Sequence, residues 1–260
     1  MNAMKLRSIN PATNKLGKVA VVTGSSRGIG AGIAKYLLDK QFTVYITYLK
    51  EKNRAEELFA SYDRAIIKSL DVTNEASVKT LFTSIAKDQN GLDLLVNSAA
   101  IEIPGTLEEI SLQTWRKVVD AKLTGAFLVT KYAVPLLKKR KRSTIVNITS
   151  SLSHKGAPKY PAHAAAEAGL ISLSKTCAIQ LAPYGIRTHM VNPTTTRTEM
   201  WKDIGGYEDE ELWQRFANNN PLGRVSTPED IGKAIYLLTT DEAEYWNGNE
   251  IYVNGGAHIK

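Results

Sequence analysis

The chain has 260 residues, 43% of them apolar and 23% charged, which is ordinary globular composition and enough length to bury one sizeable core. The formal charge of +7 does not mark a nucleic-acid binder: five of those charges sit in one run, Lys138-Lys139-Arg140-Lys141-Arg142, that closes a helical stretch. No stretch approaches the roughly 20 apolar residues of a membrane span, and the single cysteine, Cys177, forms no internal disulfide, so a soluble cytoplasmic protein is expected.

In chain order, residues 1–15 read as a polar tail ahead of a single domain, 16–260. Short apolar, β-branched runs follow at Val19–Val22, Phe42–Thr47, Ala65–Ile67, Leu94–Val96, Thr144–Ile148, Ile186–Val191 and Ile251–Val253, and these predict buried strands. Helical patterns lie between them at Ile29–Lys40, Glu75–Lys87, Leu112–Leu137, Ala162–Leu181 and Glu229–Leu238, the last opened by Thr227-Pro228-Glu229-Asp230 as cap and early acids. Strand alternating with helix predicts a doubly wound α/β fold: a mostly parallel sheet of about seven strands with helices on both faces. With no linker or repeat, the substrate must be met by loops at the strand carboxyl ends. Residues 194–220, holding Trp201, Tyr207, Trp213 and Phe216, are expected to form a lid, although four aromatics also suit plain packing.

The segment Thr23-Gly24-Ser25-Ser26-Arg27-Gly28-Ile29-Gly30 directly follows the first strand and opens the first helix, the position at which a glycine-rich loop cradles a dinucleotide pyrophosphate. Gly24 permits the tight turn, Gly28 lets the backbone approach the phosphates, and Gly30 allows close helix packing. An acid at the end of the second strand would accept from an adenosine ribose and repel a 2′-phosphate. Thr47-Tyr48-Leu49-Lys50 has none, and Arg27 and Lys50 flank that position, so NADP(H) is favoured over NAD(H).

These features resemble the short-chain dehydrogenase/reductase family, and within it the 3-oxoacyl-carrier-protein reductases. The carrying residues are Gly-x-x-x-Gly-x-Gly at 24–30, Asp71-Val72, Asn97-Ser98-Ala99-Ala100, Ile145 to Ser150, Gly185-Ile186-Arg187, Pro193 through Thr198-Glu199-Met200, Pro221 to Arg224, Pro228-Glu229-Asp230 and Val253 to Gly256. By position, the resemblance implies that Asp71 and Val72 contact adenine, that Asn97 and Ala99 line the ribose, and that Pro193 and Thr198 border the nicotinamide. It also implies a homotetramer or homodimer joined through the helices near 112–137 and 162–181 and through the carboxyl-terminal strand, and a small-molecule carbonyl or acyl substrate.

The catalytic set departs from the family. Ser150 remains, but the tyrosine position is His163, the lysine position is Glu167 and the asparagine position is Lys122. The Asn-Ala-Gly turn has become Ser98-Ala99-Ala100, and Pro-Gly has become Pro193-Thr194. Tyr160 precedes the helix and is off its catalytic face. His163 and Glu167, four apart on a helix, share a face, so the carboxylate can stabilise an imidazolium able to donate to a carbonyl oxygen. Lys122 would then supply the missing positive charge or neutralise Glu167 in a reversed ion pair. Three readings stay open: an atypical carbonyl reductase, a non-redox acid–base enzyme for dehydration, isomerisation or cyclisation, and a cofactor-binding pseudoenzyme. His154, His163, His189 and His258 show no metal-ligand spacing with each other or with Cys177, and no metal is expected.

Overall fold

A computed structural model describes residues 17–199, 201 and 206–259; the leader at 1–15 lies outside them. Seven strands form one sheet: β1 Val19–Val22, β2 Thr43–Tyr48, β3 Ala65–Ser69, β4 Leu94–Asn97, β5 Ser143–Ile148, β6 Ile186–Pro193 and β7 Glu250–Val253. Their order is β3-β2-β1-β4-β5-β6-β7 and every pairing is parallel. Each expected strand is present, with no end displaced by more than two residues.

A sheet buried on both faces needs apolar residues at successive positions, and β1, Val-Ala-Val-Val, is fully buried. Alternation along it feeds two cores. Ala20 and Val22 join Ile33, Leu37, Phe42, Ile231 and Ile235 on one face, whereas Val19 and Val21 join Leu81, Ile85, Leu136 and Leu181 on the other. The covering helices are α1 Gly28–Asp39, α2 Lys52–Leu58, α3 Glu75–Asp88, α4 Leu112–Val119, α5 Gly125–Leu137, α6 Leu152–Lys155, α7 Pro161–Leu181, α8 Glu210–Asn218 and α9 Pro228–Leu238.

The stretch 112–137 is not one regular helix. A π-helical turn, Asp120–Thr124, separates α4 from α5 and contains Lys122. Such wide turns concentrate at functional sites because the extra residue re-aims a side chain. Strand order reverses between β1 and β4, so their carboxyl ends leave a crevice. The loops from Thr23 and Asn97 meet in it.

Candidate active site

The Thr23–Gly30 loop is held by side chains that replace ladder bonds where β1 ends. Thr23 Oγ1 accepts from the Ser98 and Ala99 N–H groups at 2.9 and 3.1 Å, tying the loop to the turn after β4. Ser25 Oγ donates to Val22 O at 2.7 Å and accepts from Thr47 N–H at 2.9 Å, while Gly24 N–H donates to Thr47 Oγ1 at 3.1 Å. Gly24 and Gly28 both have positive φ, 64° and 61°. A Cβ on Gly30 would lie 2.4 Å from Gly24 O, so only glycine lets α1 start this close to the turn. At Gly28 a Cβ would meet nothing nearer than Thr198 at 3.8 Å, leaving backbone approachable from that side. Helix α1 opens with no side-chain cap and no acid in its first turn. Its first N–H groups and positive dipole end therefore suit an anion, and the loop fits a pyrophosphate. Ser26 is buried in this turn, and Ile29 packs against the core.

At the adenosine end, Tyr48 is half-buried at the tip of β2 and Lys50 is exposed. Arg27 Nη1 lies 4.0 Å from Glu51 Oε1, an acid next to Lys50 that the sequence reading passed over. Glu51 also pairs with Arg54, which in turn pairs with Glu199. Asp71 Oδ1 caps its own turn, accepting from Thr73 N–H at 2.9 Å and from the Thr73 hydroxyl at 2.7 Å. Val72 and Ala99 stand half-buried beside it at the crevice.

Deeper in, the π turn, α7 and the loop after β4 bring four charged or titratable groups together. Lys122 Nζ, aimed inward by the π turn, lies 2.8 Å from Glu167 Oε1 on α7 and donates to Ile148 O at 2.8 Å. His163 Nε2 lies 3.2 Å from the same Glu167 Oε1 and 3.5 Å from Glu102 Oε1 in the loop after β4. Side-chain exposure is 5% for Lys122, 1% for Glu167 and 4% for His163, against 38% for Glu102. Burial pushes the Glu167 carboxyl up, but the Lys122 charge and the hydrogen bond from His163 outweigh it and hold the group below its usual value. Of the two roles open to Lys122, the geometry supplies the ion pair with Glu167.

Three buried polar atoms in this region have no protein partner among the described residues: His163 Nδ1, Glu167 Oε2 and Asn97 Oδ1. The other end of the Asn97 amide donates to Thr130 Oγ1 and to Asn147 Oδ1, and Asn147 donates to Ser174. This chain fixes Asn97 from below while leaving its carbonyl oxygen available.

Ser150, half-buried at the end of β5, accepts from Leu152 N–H at 3.3 Å and makes no hydrogen bond to His163. The lack of that bond disfavours a serine nucleophile activated by His163. Tyr160 is the residue before α7, whose first position is Pro161. Pro193 is buried at the end of β6, and Thr198 is buried beside Gly28. Of the expected lid, Met200 and residues 202–205 lie outside the described residues. In the rest, Trp201 packs edge to face on Trp213 and Phe216 at 5.1 and 5.4 Å, and Trp213 and Phe216 lie tilted at 5.8 Å, which favours the packing role for these aromatics. A cavity of about 300 Å³ opens beneath, lined by Thr194, Thr195, Phe216, Asn219, Asn220, Val225 and Ala257. No cluster of three or more His, Cys, Asp or Glu side chains suited to a metal occurs among the described residues. Nor is any described helix long and apolar enough to cross a membrane.

A family model described as Enoyl-(Acyl carrier protein) reductase matches residues 24–258. The 3-oxoacyl-[acyl-carrier-protein] reductase of Aquifex aeolicus is 34% identical over 92% of this chain and 97% of its own. That of Haemophilus influenzae is 33% identical over 94% and 99%. Among solved structures, a protein from Sinorhizobium meliloti assigned as a short-chain alcohol dehydrogenase superposes with TM-score 0.86 at 30% identity, covering 94% of this chain and 97% of that one. A ligand-free aldohexose dehydrogenase from Thermoplasma acidophilum gives 0.86 at 28% identity, covering 94% and 95%.

Proposed function

Because the chain belongs to the short-chain dehydrogenase/reductase family of oxidoreductases, we propose that it is an NADP(H)-dependent carbonyl reductase in which His163 stands in for the family's tyrosine. The backbone of Gly24, Ser26, Gly28, Ile29 and Gly30 would hold the pyrophosphate, with Arg27, Tyr48 and Lys50 around the 2′-phosphate. Asp71 and Val72 would hold the adenine, Asn97 and Ala99 the ribose, and Pro193 and Thr198 the nicotinamide. When bound, the cofactor supplies a hydride to the carbonyl carbon.

The observation that carries this reading is the placement of His163 between two carboxylates, Glu167 at 3.2 Å and Glu102 at 3.5 Å, with Nδ1 unpartnered. Both acids face Nε2, so the proton on that nitrogen is held toward them. The Nδ1–H of an imidazolium is then the one free to pass to a carbonyl oxygen, and the neutral ring keeps its Nε2–H bonded to Glu167. Ser150 polarises the same oxygen. Lys122 keeps Glu167 ionised and in place, acting through it and not on the substrate.

The substrate class is a small-molecule ketone, of which the 3-oxoacyl groups in the relatives' names are one kind. Assembly as a homotetramer or homodimer through the two long helices is supported by Phe127 and Ile179, 47% and 79% exposed on α5 and α7. The test is NADPH oxidation at 340 nm across a panel of ketones with wild-type protein and His163→Ala. Turnover that collapses in the variant supports the reading. No turnover with any ketone, or an unchanged rate, overturns it.

A further inference from the structure

We propose that Glu102 is the counter-ion of the His163 imidazolium, a positioning residue for the proton donor. Glu167 is the nearer carboxylate, but Lys122 Nζ sits 2.8 Å from the same Oε1 that faces the ring. The Lys122–Glu167 pair is therefore neutral as a unit and contributes a hydrogen-bond acceptor more than a net charge. The charged groups facing His163 are Glu167 on its own helix, Lys122 behind it on the π turn, and Glu102 on the loop after β4. Among the described residues, the charge left to balance a proton gained by the ring is that of Glu102.

Glu102 also differs from Glu167 in exposure, 38% against 1%. Water can solvate it when the ring is neutral, so its charge does not have to be cancelled within the protein. Glu167 could not stand unpaired in that way. The division of labour is that Glu167 orients Nε2 and Glu102 supplies the field that favours the charged ring. Screening by salt follows from the exposure of Glu102.

This inference rests on the reading of His163 as proton donor, but its test does not require turnover. Cofactor-free protein labelled with ¹⁵N-histidine is titrated by NMR as wild type, Glu102→Gln and Glu102→Asp, at low and high salt. The account expects the His163 titration in Glu102→Gln to move to lower pH by about half a pH unit, with most of the shift recovered in Glu102→Asp and lost at 1 M salt. In the reductase assay, the limb of the pH–rate profile where activity falls as pH rises moves to lower pH by the same amount. A His163 titration unmoved in Glu102→Gln overturns the inference even if ketones are reduced. A moved titration without any turnover supports the counter-ion and removes only the reductase reading.

Discussion

Lys122 and Glu167 form an ion pair at 2.8 Å with side-chain exposures of 5% and 1%, a cation and an anion at the positions where the family pattern has a neutral asparagine and a lysine. A buried pair of this kind survives because each charge is the other's solvent, and removing one partner leaves the other uncompensated. Lys122→Met is expected to destabilise by about 3–5 kcal/mol, since Glu167 is then buried without its cation. The double variant Lys122→Met/Glu167→Leu is expected to recover much of that loss. Urea unfolding of the two single variants and the double one checks this, and additive losses would contradict it.

The cofactor end yields a prediction with two signs. Arg27→Ala removes a guanidinium from the expected 2′-phosphate position and is expected to weaken NADPH binding by about 10-fold or more, with a smaller effect on NADH. Glu51 lies 4.0 Å from the same guanidinium and competes with a phosphate for it. Glu51→Gln is therefore expected to tighten NADPH binding. Fluorescence titration of both nucleotides against the two variants decides the matter. Equal loss for NADPH and NADH in Arg27→Ala would place the arginine elsewhere.

His189 sets an acid limit on stability. It is fully buried on β6, and burial, helped by the nearby Arg187 charge, lowers its pKa from 6.5 to about 4. Below 6.5 the unfolded chain takes up a proton that the folded protein refuses, so the contribution present above pH 6.5 is lost as pH falls toward 4. Between pH 7 and 5 the loss is about 2 kcal/mol. Unfolding free energies of wild type and His189→Asn over that range test it. The variant is expected to be less stable at pH 7 but to lose less on acidification.

The sheet was legible in the sequence because strands buried on both faces are apolar and β-branched at most positions, and Val-Ala-Val-Val or Thr-Ile-Val-Asn-Ile shows this locally. The glycine-rich turn after β1 was legible because backbone geometry, not side-chain contact, demands its glycines. Helix α2 left no signal, since Ala55 is its one buried residue and no apolar period can form. Helix α8 did leave one, Asp209 capping Leu212 N–H ahead of Glu210 and Glu211, in a stretch read as a lid. The π turn was invisible because Asp-Ala-Lys-Leu-Thr is unexceptional helix composition and the wide turn arises from tertiary packing.

Within the site, His163 and Glu167 could be paired in advance, because helix geometry fixes what four residues apart means. The Lys122–Glu167 contact was one of the two roles open to Lys122, read from a gained cation and a lysine-to-glutamate change at two positions. Glu102 could not be, since it reaches His163 from a loop 61 positions earlier and no motif marks it. Glu51 was in plain view beside Lys50, and its proximity to Arg27 depends only on how the loop after β2 folds back.

The most direct test of the central claim, that the altered residues work as a set, is the specific reductase rate of the triple variant His163→Tyr/Glu167→Lys/Lys122→Asn beside wild type, with NADPH and a ketone panel. If His163 is the proton donor, wild type reduces at least one ketone, and the triple variant loses that activity by about 100-fold or more. If wild type is silent and the triple variant gains a rate, the present residues mark lost redox chemistry and the account is wrong.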